Sequence, residues 1–185
     1  MKILKWVPVI LAFLILLLTI FLAYMGAFSP LTVYKAKMGP FTIAYESFTG
    51  PYAQSGPVFA RVYEEIKAAG VASAKGLGIY YDDPRKILAK ELRSDCGMVV
   101  EDKDIAKLKA LGNKIKVKKI TENLCLFVEF PVRNPLSYMI GPLKAYPALN
   151  NYAAANGLRG KMTYELYDDQ GRKIIFVLVL EPAKP

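Results

Sequence analysis

Histidine is absent from the 185 residues, and cysteine is nearly so, with Cys96 and Cys125 standing far apart. The first absence removes the commonest general base and the commonest metal ligand. The second leaves no zinc-spaced ligand set. A serine or cysteine nucleophile would have no imidazole to activate it. No metal or other cofactor is therefore expected. Both cysteines sit in apolar, strand-like runs, which suits two buried thiols. A disulfide between them would require an extracytoplasmic domain. Acidic residues are also scarce, 16 against 25 Lys and Arg, giving a net charge of +9. No aromatic-interleaved basic motif accompanies that charge, so nucleic acid is not expected as a partner. Seven lysines fall between Lys103 and Lys119. They suit a protein partner or anionic lipid, or more simply a solvated edge that discourages aggregation.

What is abundant is apolar sequence. Trp6 to Phe28 runs 23 residues without a charge. As a helix it would cover roughly 34 Å, against a hydrocarbon core of ~30 Å. A cleaved secretory signal has an apolar region of only ~7–15 residues. The reading is a retained signal-anchor over residues 1–28, with residues 6–28 crossing the bilayer once. Lys2 and Lys5 precede the run and Lys35 and Lys37 follow it. The positive-inside rule then leaves the side of the soluble domain open, leaning to extracytoplasmic. Residues 29–39 read as a juxtamembrane linker.

From residue 40 onward the chain reads as one domain, 40–185, with an internal repeat. Phe41 to Tyr45 alternates like a strand. Ser55-Gly56-Pro57 starts a helix that Gly70 ends. Gly78-Ile79-Tyr80-Tyr81-Asp82-Asp83-Pro84 then reads as a strand running into a turn, because aspartates cap turns and proline cannot continue a ladder. Arg93 is a partner for one of those carboxylates. Cys96 to Val100 reads as a further strand, and this first module covers about 40–101. Lys114 to Lys118 alternates as an exposed strand with lysines outward. The second module covers about 113–181. It has a strand at Leu124 to Phe130, helical segments at Leu136 to Leu143 and from Tyr146, and a second Tyr-Asp-Asp strand at Tyr164 to Asp169. Gly141-Pro142 is read as a break between those helical segments. Ile174 to Leu180 reads as a central strand. The fold class is α+β: duplicated strand-helix-strand modules in one mostly antiparallel sheet, with helices on one face and a groove on the other.

These landmarks resemble those of GyrI-like, or effector-binding, domains. The resemblance rests on Gly78 to Pro84 followed by Lys90 to Asp95, on Gly50-Pro51-Tyr52, and on Glu165-Leu166-Tyr167. It spans Phe41 to Leu180. The apolar run with Phe130-Pro131 and Tyr146-Pro147-Ala148-Leu149 is most similar to a membrane-anchored subgroup that includes a single-pass ER-phagy receptor. The receptor's long C-terminal tail has no counterpart before Pro185, so its adaptor-binding role does not carry over. There is no helix-turn-helix segment either. The resemblance implies a small-molecule groove between two repeats, in which a buried Glu meets cationic aromatic ligands. Glu165 matches that position.

The candidate ligand-binding residues are Glu165, Tyr167, Tyr81, Tyr45 and Tyr52. Thr163, Glu165 and Tyr167 project to one face of their strand. A carboxylate among aromatic walls suits a cation through charge and cation–π attraction. Tyr81 and Tyr167 are read as equivalent positions of the two modules. Two other classes of function stay open: a membrane-tethered protein-interaction module, and a hydrolase of strained electrophiles in which Glu165 would be the catalytic carboxylate.

Overall fold

The computed structural model describes residues 6–28 and 30–182. Lys2 and Lys5, on which the orientation reading rests, lie outside the described residues, as do Ser29 and the last three residues. The first helix, α1, covers Val7–Tyr24, with none of its residues buried and a mean hydropathy of 2.8. It is long and apolar enough to cross a membrane. It stops short of Phe28 because Gly26 takes a φ of +78°. The Gly26 N–H then reaches Ala23 O at 3.0 Å and the Ala27 N–H reaches Leu22 O at 2.9 Å. That Schellman closure satisfies the last carbonyls, and only a residue without Cβ enters it cheaply. An unbroken apolar run thus does not mean an unbroken helix.

The rest of the described residues form one sheet of eight antiparallel strands with three α-helices. In chain order the elements are β1 (Tyr34–Met38), β2 (Phe41–Thr49), α2 (Gly56–Ala68), β3 (Lys75–Tyr80), β4 (Arg93–Val100), α3 (Ile105–Lys109), β5 (Lys116–Ile120), β6 (Asn123–Pro131), α4 (Ser137–Ala155), β7 (Gly160–Asp168) and β8 (Lys173–Leu180). The sheet order is β1-β6-β8-β7-β3-β4-β2-β5. Read outward from the β7–β3 pair, each half repeats the same β-α-β-β unit. Tyr34–Met38, expected within a linker, instead form β1 and pair with β6.

Two short connections bend this sheet. Only Gly39 and Pro40 separate β1 from β2, yet β1 pairs with β6; only Thr121 and Glu122 separate β5 from β6, yet β5 pairs with β2. The edge strands are therefore drawn toward each other and the sheet curls. Its inner face closes on an apolar cluster that takes Met38, Ile43, Leu77, Ile120, Tyr164 and Val177 from strands across the whole sheet. The helices cover the outer face. Val62 and Ile66 of α2 and Leu108 of α3 pack on Ala44 and Met98; Ala145, Leu149 and Ala153 of α4 pack on Leu126, Phe176 and Leu178.

α4 differs from its expected form. It passes through Pro142 and Pro147 without a break. Each proline removes one amide donor and frees the carbonyl four residues earlier, at Tyr138 and Leu143. Both of those residues lie on the exposed side of the helix, so no buried carbonyl is orphaned. Gly141 is required for packing: a Cβ there would meet Phe176 Cζ at 2.8 Å. The lysine strand also differs. Lys118 turns inward and pairs with Asp95, while Lys103, Lys107, Lys114 and Lys119 pair with Glu101, Asp104, Glu65 and Asp102. Five of those seven lysines thus have carboxylate partners.

Candidate ligand-binding site

The site lies where β3 and β7 meet at the centre of the sheet, with Gly78 opposite Glu165. Both project to the outer face, between α2 and α4. Gly76 and Gly78 leave that floor bare. A Cβ at Gly78 would meet Tyr80 Oη at 2.9 Å and Phe59 Cζ at 3.0 Å. α2 contributes Phe59, and α4 contributes Tyr138 and Tyr146, two helical turns apart.

Glu165 is only 6% exposed. Its Oε1 accepts the Tyr146 hydroxyl at 2.6 Å and its Oε2 accepts the Tyr167 hydroxyl at 2.7 Å. The Tyr167 oxygen also lies 2.7 Å from the Tyr80 oxygen. A phenol has one proton. With the Tyr167 proton given to ionised Glu165, Tyr80 must donate to Tyr167. The result is a relay, Tyr80 to Tyr167 to Glu165, with Tyr146 closing the other oxygen. Rings surround it. Phe59 meets Tyr167 edge-on at 5.2 Å and Tyr138 lies 6.1 Å from Tyr167. Tyr146 meets Phe176 at 5.6 Å and Tyr52 meets Tyr80 at 4.8 Å.

Burial pushes the Glu165 carboxyl above the ordinary glutamate range; the Tyr146 and Tyr167 hydroxyls offset only part of that. Burial, and then the Glu165 charge, hold both of those phenols well above their usual range. Such a site disfavours an unpaired negative charge and rewards a cation placed over the rings. A concavity of about 350 Å³ lies beside Tyr138, lined by Arg133, Asn134, Asp168, Asp169 and Arg172 among others. The Tyr138 ring stands between it and Tyr167.

The expected site residues separate into three groups. Glu165 and Tyr167 come together as described. Tyr52 meets the site through its ring on Tyr80; its hydroxyl is committed to the Asp82 turn, donating to Asp82 O at 2.9 Å and accepting the Asp82 N–H at 3.0 Å. Tyr81 and Tyr45 lie on the inner face, away from Glu165. The Tyr81 hydroxyl donates to Asp95 at 2.7 Å, and Lys118 sits 4.4 Å from the Tyr45 ring centre. Burial pushes the Asp95 carboxyl up, but hydrogen bonds from Lys118, Tyr81 and Ser47 outweigh it and hold it low. The equivalence of Tyr81 and Tyr167 is therefore corrected. Strand residues alternate faces, so a one-residue slip in aligning the modules moves a side chain through the sheet. Tyr80 is the outer-face partner of Tyr167. The face away from the helices carries the apolar cluster and, at one end, a concavity of about 260 Å³ lined by Ser47, Tyr81 and Asp95 among others, whereas Glu165 lies buried on the helix-covered face, between α2 and α4.

Tyr146, Tyr80 and Phe59 were not among the expected site residues. Tyr146 carried a usable signal, since Tyr138, Pro142 and Tyr146 share one side of a helix at a spacing of four. The acidic turns behave as capping groups. Arg93 holds Asp82 with contacts of 2.7 and 3.0 Å, and its own N–H reaches the same carboxylate at 2.7 Å. Cys96 and Cys125 are buried thiols, and burial pushes the Cys96 thiol up to about 11. Among the described residues no group of three or more Cys, Asp or Glu side chains converges as a metal site.

The family model for the GyrI-like small molecule binding domain matches residues 32–174. The chain belongs to that family. This GyrI-like chain shares its fold with the C-terminal domain of EcmrR, at 13% identity and a TM-score of 0.62 over 82% of this chain and 98% of that one. SAV2435, solved bound to tetraphenylphosphonium, aligns with a TM-score of 0.52 at 12% identity, over 82% of this chain and 94% of that one. A hydrolase from Listeria innocua aligns with a TM-score of 0.51 at 12% identity, over 87% of this chain and 98% of that one. No protein of curated function matches the sequence.

Proposed function

We propose that this GyrI-like protein is a membrane-anchored binder of lipophilic cations, and that Glu165 reads the charge of the ligand. The observation that carries the reading is a nearly fully buried carboxylate whose side-chain hydrogen bonds, among the described residues, come from two phenol hydroxyls. An aromatic cation entering between α2 and α4 would meet Tyr138 and Phe59 first. It would then supply the counter-charge that Glu165 otherwise lacks. SAV2435 binds a ligand of this chemical class, which supports the choice of probe. The apolar α1 supports the anchor.

The aromatic ring set favours binding over hydrolysis. Each Glu165 oxygen already accepts one phenol hydroxyl, so a water poised for attack would compete with Tyr146 and Tyr167 for a nearly fully buried carboxylate. Calorimetric titration of the full chain in detergent with tetraphenylphosphonium tests the reading. Saturable binding is expected, weakened about tenfold or more by Glu165→Gln, which is about 1.4 kcal/mol. Equal affinity in the two proteins would remove Glu165 from the site.

A further inference from the structure

Leu136, the residue before α4, and Met139 and Leu143 on the outward side of its first half are large apolar side chains that no described residue covers. Leu136 is 41% exposed, Met139 67% and Leu143 77%. They follow one another at intervals of three and four and so form one ridge. The ridge ends where Asn150 occupies the same face. A soluble surface rarely leaves such a helical stripe bare without a reason.

Its neighbours say what covers it. The last residues of α1 dock beside this part of the domain. Asn134 Nδ2 donates to Met25 Sδ at 2.9 Å and Lys144 Nζ donates to Gly26 O at 2.6 Å. The Arg133 guanidinium lies 5.5 Å from the Tyr24 ring centre. Tyr24, Met25 and Gly26 end the apolar helix, and residues that touch the end of a spanning helix lie at headgroup depth. Arginine, lysine and tyrosine are the side chains that settle at that level. Leu143 and Met139 are within about one helical turn of these contacts.

We infer that the Leu136–Met139–Leu143 ridge is a membrane-docking surface, seated in the interfacial layer of the same bilayer that α1 enters. The inference rests on the anchor reading. The interfacial layer takes an apolar helix face to a depth of about 5–10 Å, which suits one ridge and not a whole helix. Docking would place the concavity beside Tyr138 at headgroup level, where amphipathic cations concentrate over anionic lipid.

Nitroxide labels test it, on the full chain in nanodiscs of phosphatidylcholine and phosphatidylserine. The sites are M139C, L143C, N150C and L14C; Cys96 and Cys125 are buried and do not compete. Labels at 139 and 143 should be several-fold more accessible to oxygen, relative to an aqueous nickel chelate, than the label at 150. Equal, water-like values at all three sites, with lipid-like values at 14, would overturn docking and leave the anchor standing. Water-like values at 14 would overturn both. Spin–spin broadening between labels at 143 would assign the ridge to a second copy of the chain and overturn the bilayer as its occupant.

Discussion

The hydroxyl oxygens of Tyr80 and Tyr167 lie 2.7 Å apart, although the two residues belong to different copies of the repeated unit. That contact joins the halves of the sheet across its pseudo-twofold and leads the hydrogen-bond chain to Glu165. The site is thus asymmetric. Module one supplies glycine opposite Glu165 and a phenol to the relay; module two supplies the charge.

Removing one donor to Glu165 should change its titration in a known direction. Hydrogen bonds to the ionised carboxylate lower its pKa, so Tyr146→Phe leaves burial less opposed and raises it. Cation binding requires the ionised form. The affinity of the native protein for tetraphenylphosphonium should therefore fall as pH drops through the raised Glu165 pKa, and the midpoint of that fall should move upward in Tyr146→Phe. A titration series across pH reads both. An unmoved midpoint would mean that Tyr146 does not hold the charge.

Stability should show the same group with the opposite consequence. A carboxyl whose folded pKa lies above its unfolded value contributes stability below the unfolded pKa and loses it as pH rises through the folded one. Glu165→Gln removes that pH dependence. At neutral pH the variant should melt no lower than the native protein, and the native protein should gain on it as the solution is acidified. Thermal melts of both proteins at several pH values check this.

Two glycines should respond to a methyl group to different degrees. At Gly78 the Cβ of alanine would meet the ends of Tyr80 and Phe59, which can swing. Gly78→Ala should cost about 1–3 kcal/mol and disturb the Tyr80–Tyr167 contact. At Gly97 the same methyl would press on the Ala44 carbonyl and the Tyr45 Cβ, which cannot move without shifting β2. Gly97→Ala should be the more damaging of the two. Denaturant midpoints rank them.

Arg93 grips Asp82 from both side chain and backbone, and Tyr52 holds the same turn from the other side. Hydrogen bonds from the Arg93 side chain and backbone hold the Asp82 carboxyl below its usual range. The contact is therefore present above that pKa and lost as pH falls through it. Arg93→Ala should lower the melting temperature at neutral pH and leave tetraphenylphosphonium affinity unchanged, since the turn lies outside the groove.

Much of this was readable from residues alone. Glycine and proline punctuation at Gly56-Pro57, Gly70 and Gly157 located the helix ends, and the Glu165 to Tyr167 strand stood out by its alternation. The failures have physical causes. Tyr80 and Tyr81 are adjacent and identical, so the turn aspartates set the alignment of the two modules, and the slip of one residue put Tyr81 where Tyr80 belongs. Tyr45 looked like a groove wall because strand periodicity fixes which residues share a face, but not which face the helices cover. β1 was hidden because its partner, β6, lies far along the chain, and pairing at that distance leaves no local signal. Tyr146 was hidden by Pro147, which suggested a helix start and drew attention from the side of α4 that faces β7.

The central claim is that Glu165 selects for positive charge inside an aromatic groove. Tetraphenylphosphonium and tetraphenylborate have nearly the same shape and opposite charge, so the ratio of their affinities isolates that property. The native chain should prefer the cation despite its net charge of +9, and Glu165→Gln should lose most of that preference. An unchanged ratio in the variant would contradict the account.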